Sequence, residues 1–270
     1  TPLTEASTAH LVRFSGYLRG LVVQDEISVT FDLDRLDSDL SGGMYFDSSI
    51  PQGYGVGSSG ALVAAIYDGY AHQKITVLEN LTREKLLELK VIFAQMESFF
   101  HGKSSGLDPL NSYLSLPILI NSQDHIEPAG IPSQTNKSGG AVFLLDSGIT
   151  GETAPMVEIF MEKMKHEGFR NMLKNEFVRH TDSCVDDFLK GDVTSLFGNI
   201  KQLSKVVLDH FQPMIPKKFH GLWQKGLESN AYYLKLCGSG GGGYMLGFTQ
   251  DLAAAQTALK GHKLEVVYQF

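Results

Sequence analysis

The sequence predicts an α+β fold with two domains, and three observations support this prediction. Apolar residues recur at helical spacing over long segments, among them residues 6–23 and 82–100. Residues 231–270 read in the order β-loop-β-α-β, which is typical of an open α+β sandwich. A polar segment with two prolines, residues 121–139, separates the two halves, so we predict domains at residues 1–133 and 134–270.

Composition and charge narrow the classes of function. The 270-residue chain has a formal net charge of −7, and its longest basic run is Lys217–Lys218, which argues against nucleic-acid binding. No apolar run approaches the ~18 residues that a membrane span requires. Cys184 and Cys237 lie far apart without a CxxC partner, so we expect reduced thiols and a cytoplasmic location.

In the first half, hydrophobic periodicity predicts three helices and one strand. Residues 6–23 form an apolar stripe that ends near Gly20, and residues 26–33 alternate as a strand does. A polar stretch rich in Asp, Ser and Gly follows, and then a glycine loop at residues 51–60. The apolar segment after that loop predicts a buried helix, and residues 82–100 predict a third helix.

In the second half, the pattern predicts strands at both ends and helices between them. The strands are expected at residues 141–148, 231–237, 244–248 and 264–270. The helices are expected at residues 153–189, with a break near Gly168, and at 193–211, 216–229 and 251–259.

The first glycine loop, Pro51 to Ala61, enters a helix. Glycines allow close backbone approach, and a helix N-terminus attracts anions, so this loop predicts a phosphate cradle. The residues expected to bind the phosphates are Gly53, Gly55, Gly57, Ser58, Ser59 and Gly60. A dinucleotide-binding loop is disfavoured because no buried strand precedes it, and a Walker A loop is excluded because it lacks the GK[ST] ending. A glycine turn that serves only the fold is the remaining alternative.

The second loop runs from His101 to Asp108 and supplies carboxylates. Glu97 lies four residues before His101, so both share one helix face. Two acids suit phosphoryl transfer, because one can hold Mg²⁺ and the other can orient or deprotonate the attacking hydroxyl. His101 is interpreted as a loop-anchoring or substrate-orienting residue. Alternatively, Glu97 is a solvated helix residue and Asp108 a turn residue before Pro109.

The third loop, residues 238–243, lies between two strands and is glycine in five of six positions. So many glycines are costly in conformational entropy. We therefore interpret the loop as backbone that lines a phosphate or substrate pocket with N–H donors, against the alternative of a flexible hairpin. The preceding Cys237 is expected to be a buried strand residue and not a catalytic thiol.

Together, the three loops resemble the signature motifs of the GHMP kinases. Pro51 to Ala61 is similar to PxxxGLGSSAA, with Val56 for Leu and Gly60 for Ala, and Lys235 to Tyr244 is similar to KxxGxGGGGC. The middle motif resembles HGxPSGxD, the mevalonate kinase form, with Ser104 in place of Pro and Glu97 at the matching offset.

The resemblance implies a ribosomal-S5-like N-terminal domain, a ferredoxin-like C-terminal domain, and ATP and Mg²⁺ as cofactors. Ser58 and Ser59 would contact phosphates, Ser59 and Glu97 would hold Mg²⁺, and Asp108 would be the base or the group that orients the hydroxyl. His101, Ser105, Gly238, Ser239 and Gly240 would line the substrate site. Residues 146–148 with Thr153 resemble a segment that opens the second half of the family fold and reaches toward the site.

One departure concerns the front of the chain. GHMP kinases begin with strands that carry a catalytic Lys, whereas no Lys occurs here before Lys74 and the first glycine loop starts at residue 51. We therefore expect several tens of residues to be absent before residue 1, and the chain to be inactive alone or complemented by that segment.

The resemblance implies phosphorylation of mevalonate in isoprenoid precursor synthesis. The alternatives are a phosphomevalonate, homoserine or sugar kinase of the same family, or a binding protein without catalysis. A phosphorylated substrate would need additional cations, for which Lys103 and Arg179 are the candidates. We expect a small-molecule substrate and no nucleic-acid or membrane partner, and we leave open whether the chain forms a homodimer.

Overall fold

A computed structural model describes residues 2–76, 81–122, 125–133 and 139–270, apart from the side chains of Pro2, Leu3, His101 and Ser122. By their contacts, the residues group into two compact units. The first unit comprises Thr1–Pro51 and Gly57–Ala129, and the second comprises Gln52–Val56 and Gly130–Phe270. The predicted domain boundary adjoins residues 134–138, which lie outside the described residues, and it stays a prediction.

The first unit consists of helices and one hairpin. Its described elements are α1 (Pro2–Val23), α2 (Leu33–Ser41), α3 (Ser58–Tyr70), α4 (Arg83–His101), α5 (Leu107–Leu114), β1 (Ile118–Ser122) and β2 (His125–Pro128). The helices predicted at 6–23, after the first glycine loop and at 82–100 are confirmed as α1, α3 and α4. β2 lies within the segment that the sequence marked only as polar, and it pairs antiparallel with β1, which begins before that segment.

The core of the first unit is aromatic and aliphatic. Phe14, Tyr67 and Phe93 are fully buried, and the ring centroids of Tyr67 and Phe93 lie 5.0 Å apart in an edge-to-face arrangement. Each buried side chain of this size contributes roughly 1.5–3 kcal/mol relative to exposure. This core packs the inner faces of α1, α3 and α4 and fixes the helix that carries Glu97.

The prediction of a β-strand at residues 26–33 is wrong. Its alternation does bury Ile27, Val29 and Phe31, but Phe31 forms only an isolated bridge with Ala71. A ladder needs a continuous partner, and this segment has none among the described residues. From Leu33 the chain is already helical, because Asp32 caps α2 by accepting the N–H of Arg35 at 3.1 Å.

The second unit is built on a four-stranded antiparallel sheet. Its strands are β3 (Ala141–Asp146), β4 (Tyr233–Leu236), β5 (Tyr244–Thr249) and β6 (Leu264–Gln269), in the spatial order β4-β5-β3-β6. All four strand predictions are confirmed. With helices between β3 and β4 and one helix between β5 and β6, this is the βαββαβ topology of ferredoxin-like domains.

The helices of the second unit lie between these strands. They are α6 (Thr153–Met164), α7 (Glu167–Met172), α8 (Arg179–Lys190), α9 (Val193–His210), α10 (His220–Ser229) and α11 (Leu252–Ala258), with a π-helical turn at Leu173–Val178. The predicted break near Gly168 falls earlier, at residues 165–166. It is stabilised by Arg170, whose guanidinium donates to the carbonyls of Met164 and Lys165 at 2.7 and 2.8 Å.

Candidate functional site

In the first unit, a buried carboxylate brings the first two motifs together. Glu97 lies on α4 and is only 4% exposed. The hydroxyl of Ser59, from the first turn of α3, donates to Glu97 Oε1 at 2.9 Å. The hydroxyl of Ser104 donates to Oε2 of the same carboxylate. The interpretation of Glu97 as a solvated helix residue is therefore wrong, because the side chain is buried and bonded on both oxygens.

Asp108 belongs to the same unit and lies close to the start of α3. It is exposed, and it is the second residue of α5 rather than the end of a loop. A Cβ added to Gly57 would lie 3.6 Å from Asp108 Cβ, and one added to Gly60 would lie 2.7 Å from the backbone carbon of Asp108. The glycines of the first motif thus allow the N-terminal turns of α3 and α5 to approach each other closely.

The N-terminus of α3 has no side-chain cap. Gly57 occupies the cap position with φ +80°, a left-handed conformation that favours glycine, and it offers no side chain to the helix. Ser58 and Ser59 follow as the first two helical residues and are partly exposed. This combination of an uncapped helix start and two hydroxyls is suited to an anion.

The remaining predicted residues of the second motif are only partly described. The side chain of His101 lies outside the described residues, so its assigned role stays a prediction. Ser105 is exposed, and its hydroxyl accepts the N–H of Leu107 at 3.4 Å. Lys103 is exposed in the same turn.

In the second unit, the third glycine loop packs against residues from the start of the first loop. Gly53 O accepts the N–H of Gly151 at 2.8 Å, and Tyr54 O accepts the N–H of Tyr244 at 3.0 Å. A Cβ added to Gly55 would lie 2.8 Å from Cys237 O. Gly53 and Gly55 therefore pack in the second unit, whereas Gly57 to Gly60 belong to the first.

The predicted N–H donors of the third loop are partly used inside the protein. Gly240 N donates to Cys237 O at 3.3 Å, Gly241 N to Met214 O at 2.6 Å, and Gly243 N to Ile149 O at 2.7 Å. These three amides hold the loop in shape and do not point to a ligand. The prediction of N–H donors for a ligand is therefore wrong for these residues, because their amides already donate to backbone carbonyls. The flexible-hairpin alternative does not fit either, since two of these bonds tie the loop to Met214 and Ile149.

Two tyrosines at this loop were missed by the sequence analysis. The rings of Tyr54 and Tyr244 meet edge to face, with centroids 4.9 Å apart. Burial, and then the nearby carboxylate of Asp146, raises the pKa of the Tyr54 hydroxyl. The only available signal was the departure from the family pattern at residue 244, where Tyr replaces Cys.

Neither cysteine has the surroundings of a reactive thiol. Burial raises the pKa of Cys237, and burial together with the charge of Asp187 raises the pKa of Cys184 to about 12. A catalytic thiol requires a lowered pKa. The expectation that Cys237 is a buried strand residue is wrong, because Cys237 lies one residue beyond β4 and is only partly buried.

The donors available for a cation are oxygens. No group of three or more His, Cys, Asp or Glu side chains in the described part of the chain could hold a metal ion. Mg²⁺ commonly binds through one or two carboxylates, with the remaining ligands from water and substrate phosphates. The carboxylate of Glu97 and the hydroxyl of Ser59 fit that donor set. Among the described residues, no helix has both the length and the apolar character that crossing a bilayer requires.

Ser104 is the site contact that the sequence analysis did not anticipate. In the sequence, Ser104 stands out only as a substitution for Pro in the second motif. A serine seven residues after a helical Glu can reach back to that carboxylate only if the intervening turn folds onto the helix. The sequence alone did not show that turn.

Residues 25–115 match the family model of the GHMP kinases N terminal domain. No curated protein matches the chain by sequence.

Three solved structures share the fold at low identity. L. major mevalonate kinase, solved with R-mevalonate, is 19% identical with a TM-score of 0.54, covering 76% of this chain. This chain spans 60% of the length of that kinase. The Lin0012 protein from Listeria innocua is 15% identical (TM-score 0.58; 96% of this chain, 79% of that chain). Streptococcus pneumoniae phosphomevalonate kinase, solved with phosphomevalonate and AMPPNP, is 14% identical (TM-score 0.58; 86% and 78%).

The family match covers the segment that carries both Ser59 and Glu97, and the structural similarity extends over both units. Residues 25–115 of the chain are therefore similar to the N-terminal domain of the GHMP kinases, and the chain shares its fold with these solved structures.

Proposed function

We propose that this protein is an ATP-dependent kinase that phosphorylates the primary alcohol of mevalonate, in isoprenoid precursor synthesis. GHMP kinases are phosphotransferases that use ATP, and the second motif has the mevalonate kinase form. One observation carries the proposal. Ser59 of the first motif and Ser104 of the second both bond the buried Glu97, in the unit that also holds Asp108 against Gly57 and Gly60.

In this proposal the residues have separate chemical tasks. The uncapped start of α3 and the hydroxyl of Ser58 bind nucleotide phosphates. Ser59 and Glu97 would hold Mg²⁺, which neutralises phosphate charge when bound. The exposed carboxylate of Asp108 orients the attacking hydroxyl and accepts its proton. The phosphorus–oxygen bond to the nucleoside diphosphate breaks as the bond to the substrate oxygen forms.

The test is ADP release by the protein expressed from its full reading frame, with Mg-ATP and mevalonate. We expect turnover in the wild type and a loss of about 10²–10⁴-fold in kcat for Asp108→Asn, which keeps the size but removes the base. Asp182→Asn, at an exposed acid of α8, is the matched control and should retain wild-type activity. Nucleotide binding without turnover on mevalonate would contradict the substrate, and the absence of nucleotide binding would contradict the kinase.

Phosphomevalonate is the second candidate substrate. Lys103 is exposed in the turn that leads to Asp108, where a cation could pair with a substrate phosphate. Phosphomevalonate should therefore be assayed beside mevalonate, with Lys103→Met as the variant. A KM for phosphomevalonate that rises at least tenfold in this variant, with kcat kept, would favour the second candidate. Homoserine and sugar substrates complete the panel, and ATP binding without transfer to any of them would favour a binding protein.

A further inference from the structure

We propose that Ser104 is a positioning residue for Glu97, and that it couples this carboxylate to the turn before α5, the helix that carries Asp108. The proposal rests on the proposed function, because Glu97 and Asp108 are assigned their roles there. Ser104 stands where the family pattern has Pro, so the pattern gives this position no polar task.

The first step is the direction of the two hydrogen bonds at the Ser104 hydroxyl. Its proton is donated to Glu97 Oε2, and its oxygen accepts the N–H of Gly106 at 3.0 Å. An ionised carboxylate only accepts and a backbone N–H only donates, so the orientation of the hydroxyl is fixed by both partners. Proline at this position could make neither contact through its side chain.

The second step is the hydrogen bonding of the buried Glu97 carboxylate. A carboxylate that is 4% exposed needs hydrogen-bond partners, since burying an unpaired charge is strongly unfavourable. Ser59 bonds Oε1 and Ser104 bonds Oε2, so the two hydroxyls fix the rotation of the group from both sides. Bonds between a hydroxyl and an ionised carboxylate are among the stronger hydrogen bonds in proteins. Each oxygen keeps lone-pair capacity for a further ligand.

The third step is the link to Asp108. Gly106 is the N-cap of α5, and Asp108 is the second residue of that helix. Gly106 has φ +73°, and a Cβ there would lie 2.7 Å from the backbone nitrogen of Ala94 on α4. The turn is therefore pressed against α4 at Gly106 and tied to it again through Ser104 and Glu97. One hydroxyl thus connects the assigned metal ligand to the backbone that sets the position of the assigned base.

The experiment compares Ser104→Ala with two variants. Ser104→Thr keeps the hydroxyl and should behave as the wild type. Ser98→Ala is the matched control, because Ser98 also lies beside Glu97 on α4, yet its hydroxyl donates only to Ala94 O at 2.7 Å, within its own helix.

Two readouts are measured on the same proteins. The Mg²⁺ concentration that gives half-maximal ADP formation should rise about 10–100-fold in Ser104→Ala, the usual effect of removing a partner that orients a metal ligand. It should not change in Ser98→Ala. Hydrogen exchange of the Gly106 amide should be about tenfold faster in Ser104→Ala, because the acceptor of its N–H is gone.

The outcomes separate this inference from the proposed function. A wild type without phosphotransfer overturns the proposed function, and the Gly106 exchange then still decides whether Ser104 forms the bridge. An active Ser104→Ala with unchanged Mg²⁺ dependence overturns the positioning role. An unchanged Gly106 exchange rate overturns the bridge itself. A half-maximal Mg²⁺ concentration that rises in Ser104→Thr as much as in Ser104→Ala would also contradict it, because the threonine hydroxyl offers the same donor and acceptor.

Discussion

At the scale of single residues, the burial of Glu97 explains why its carboxylate needs the hydroxyls of Ser59 and Ser104. The carboxylate is almost fully buried, and the two hydroxyls supply the bonds that water would otherwise make. Burial raises the pKa of both cysteine thiols, because the thiolate is disfavoured away from water.

The first prediction concerns the thiols. With a pKa of about 12, the thiolate fraction of Cys184 at pH 8 is about 10⁻⁴, so we expect very slow reaction with a disulfide reagent in the native protein. Cys237 should also react more slowly than an exposed thiol, because its pKa is raised by burial. Titration in guanidinium chloride, where both thiols should react rapidly, is the control. Rapid labelling of either thiol in the native state would contradict the environment described here.

At the scale of elements, α3 and α5 meet through glycine. Gly60 lies on α3 where α5 begins, and the space that a side chain would need is occupied by the backbone of Asp108 and Pro109. Backbone atoms cannot rotate away as a flexible side chain can. The close approach of these two helix N-termini therefore depends on the absence of a Cβ at residue 60.

The second prediction tests this helix contact. Gly60→Ala should lower the free energy of unfolding by about 1–3 kcal/mol, because it overpacks a rigid contact. Gly69→Ala is the matched control on the same helix, since a Cβ at Gly69 meets nothing within 4 Å. Gly69→Ala should raise the free energy of unfolding by up to ~1 kcal/mol, because alanine has a higher helix propensity than glycine. Both are measured as shifts in the urea midpoint, and equal shifts for the two variants would show that the close approach is not required.

Elements also show where sequence patterns succeed and fail. Helices with a continuous apolar stripe, such as α4 and α9, were predicted to within a few residues because periodicity is a local property. In residues 26–33, apolar and polar side chains alternate and Ile27, Val29 and Phe31 are buried, but no strand forms. Alternation reports which side chains are buried, whereas a strand also needs a partner, which a local pattern cannot specify.

At the scale of the whole molecule, buried and partly buried tyrosines in both units make the free energy of unfolding depend on pH. Burial is the main cause that raises the pKa of Tyr70 and Tyr113 in the first unit, and of Tyr232 in the second, to about 12. The unfolded chain loses these protons near pH 10, whereas the folded chain keeps them to about pH 12. Their contribution to stability is thus complete below pH 10 and is lost as the pH rises toward 12.

The third prediction follows from this linkage. The thermal midpoint should be steady up to about pH 9 and should fall progressively above pH 10, as measured by circular dichroism. Tyrosinate absorbance should rise together with unfolding for the buried residues. Tyr232→Phe removes one such group, so the thermal midpoint of this variant should fall less steeply above pH 10. The variant also loses the hydrogen bond from the Tyr232 hydroxyl to Leu222 O at 2.7 Å. A midpoint that stays constant up to pH 11.5 would contradict the assignment.

The sequence by itself determined the α+β class, the βαββαβ order of the second half, and the three motifs with Glu97, Asp108 and Ser59 as candidate residues. These follow from local patterns of hydrophobicity, glycine and charge. Only the tertiary structure decided that Glu97 is buried, that Ser104 bonds it, and that three amides of the third loop serve the protein's own backbone. It also decided that the first glycine loop is divided between the two units. These properties depend on residues far apart in the chain, whose contacts arise from packing and not from spacing.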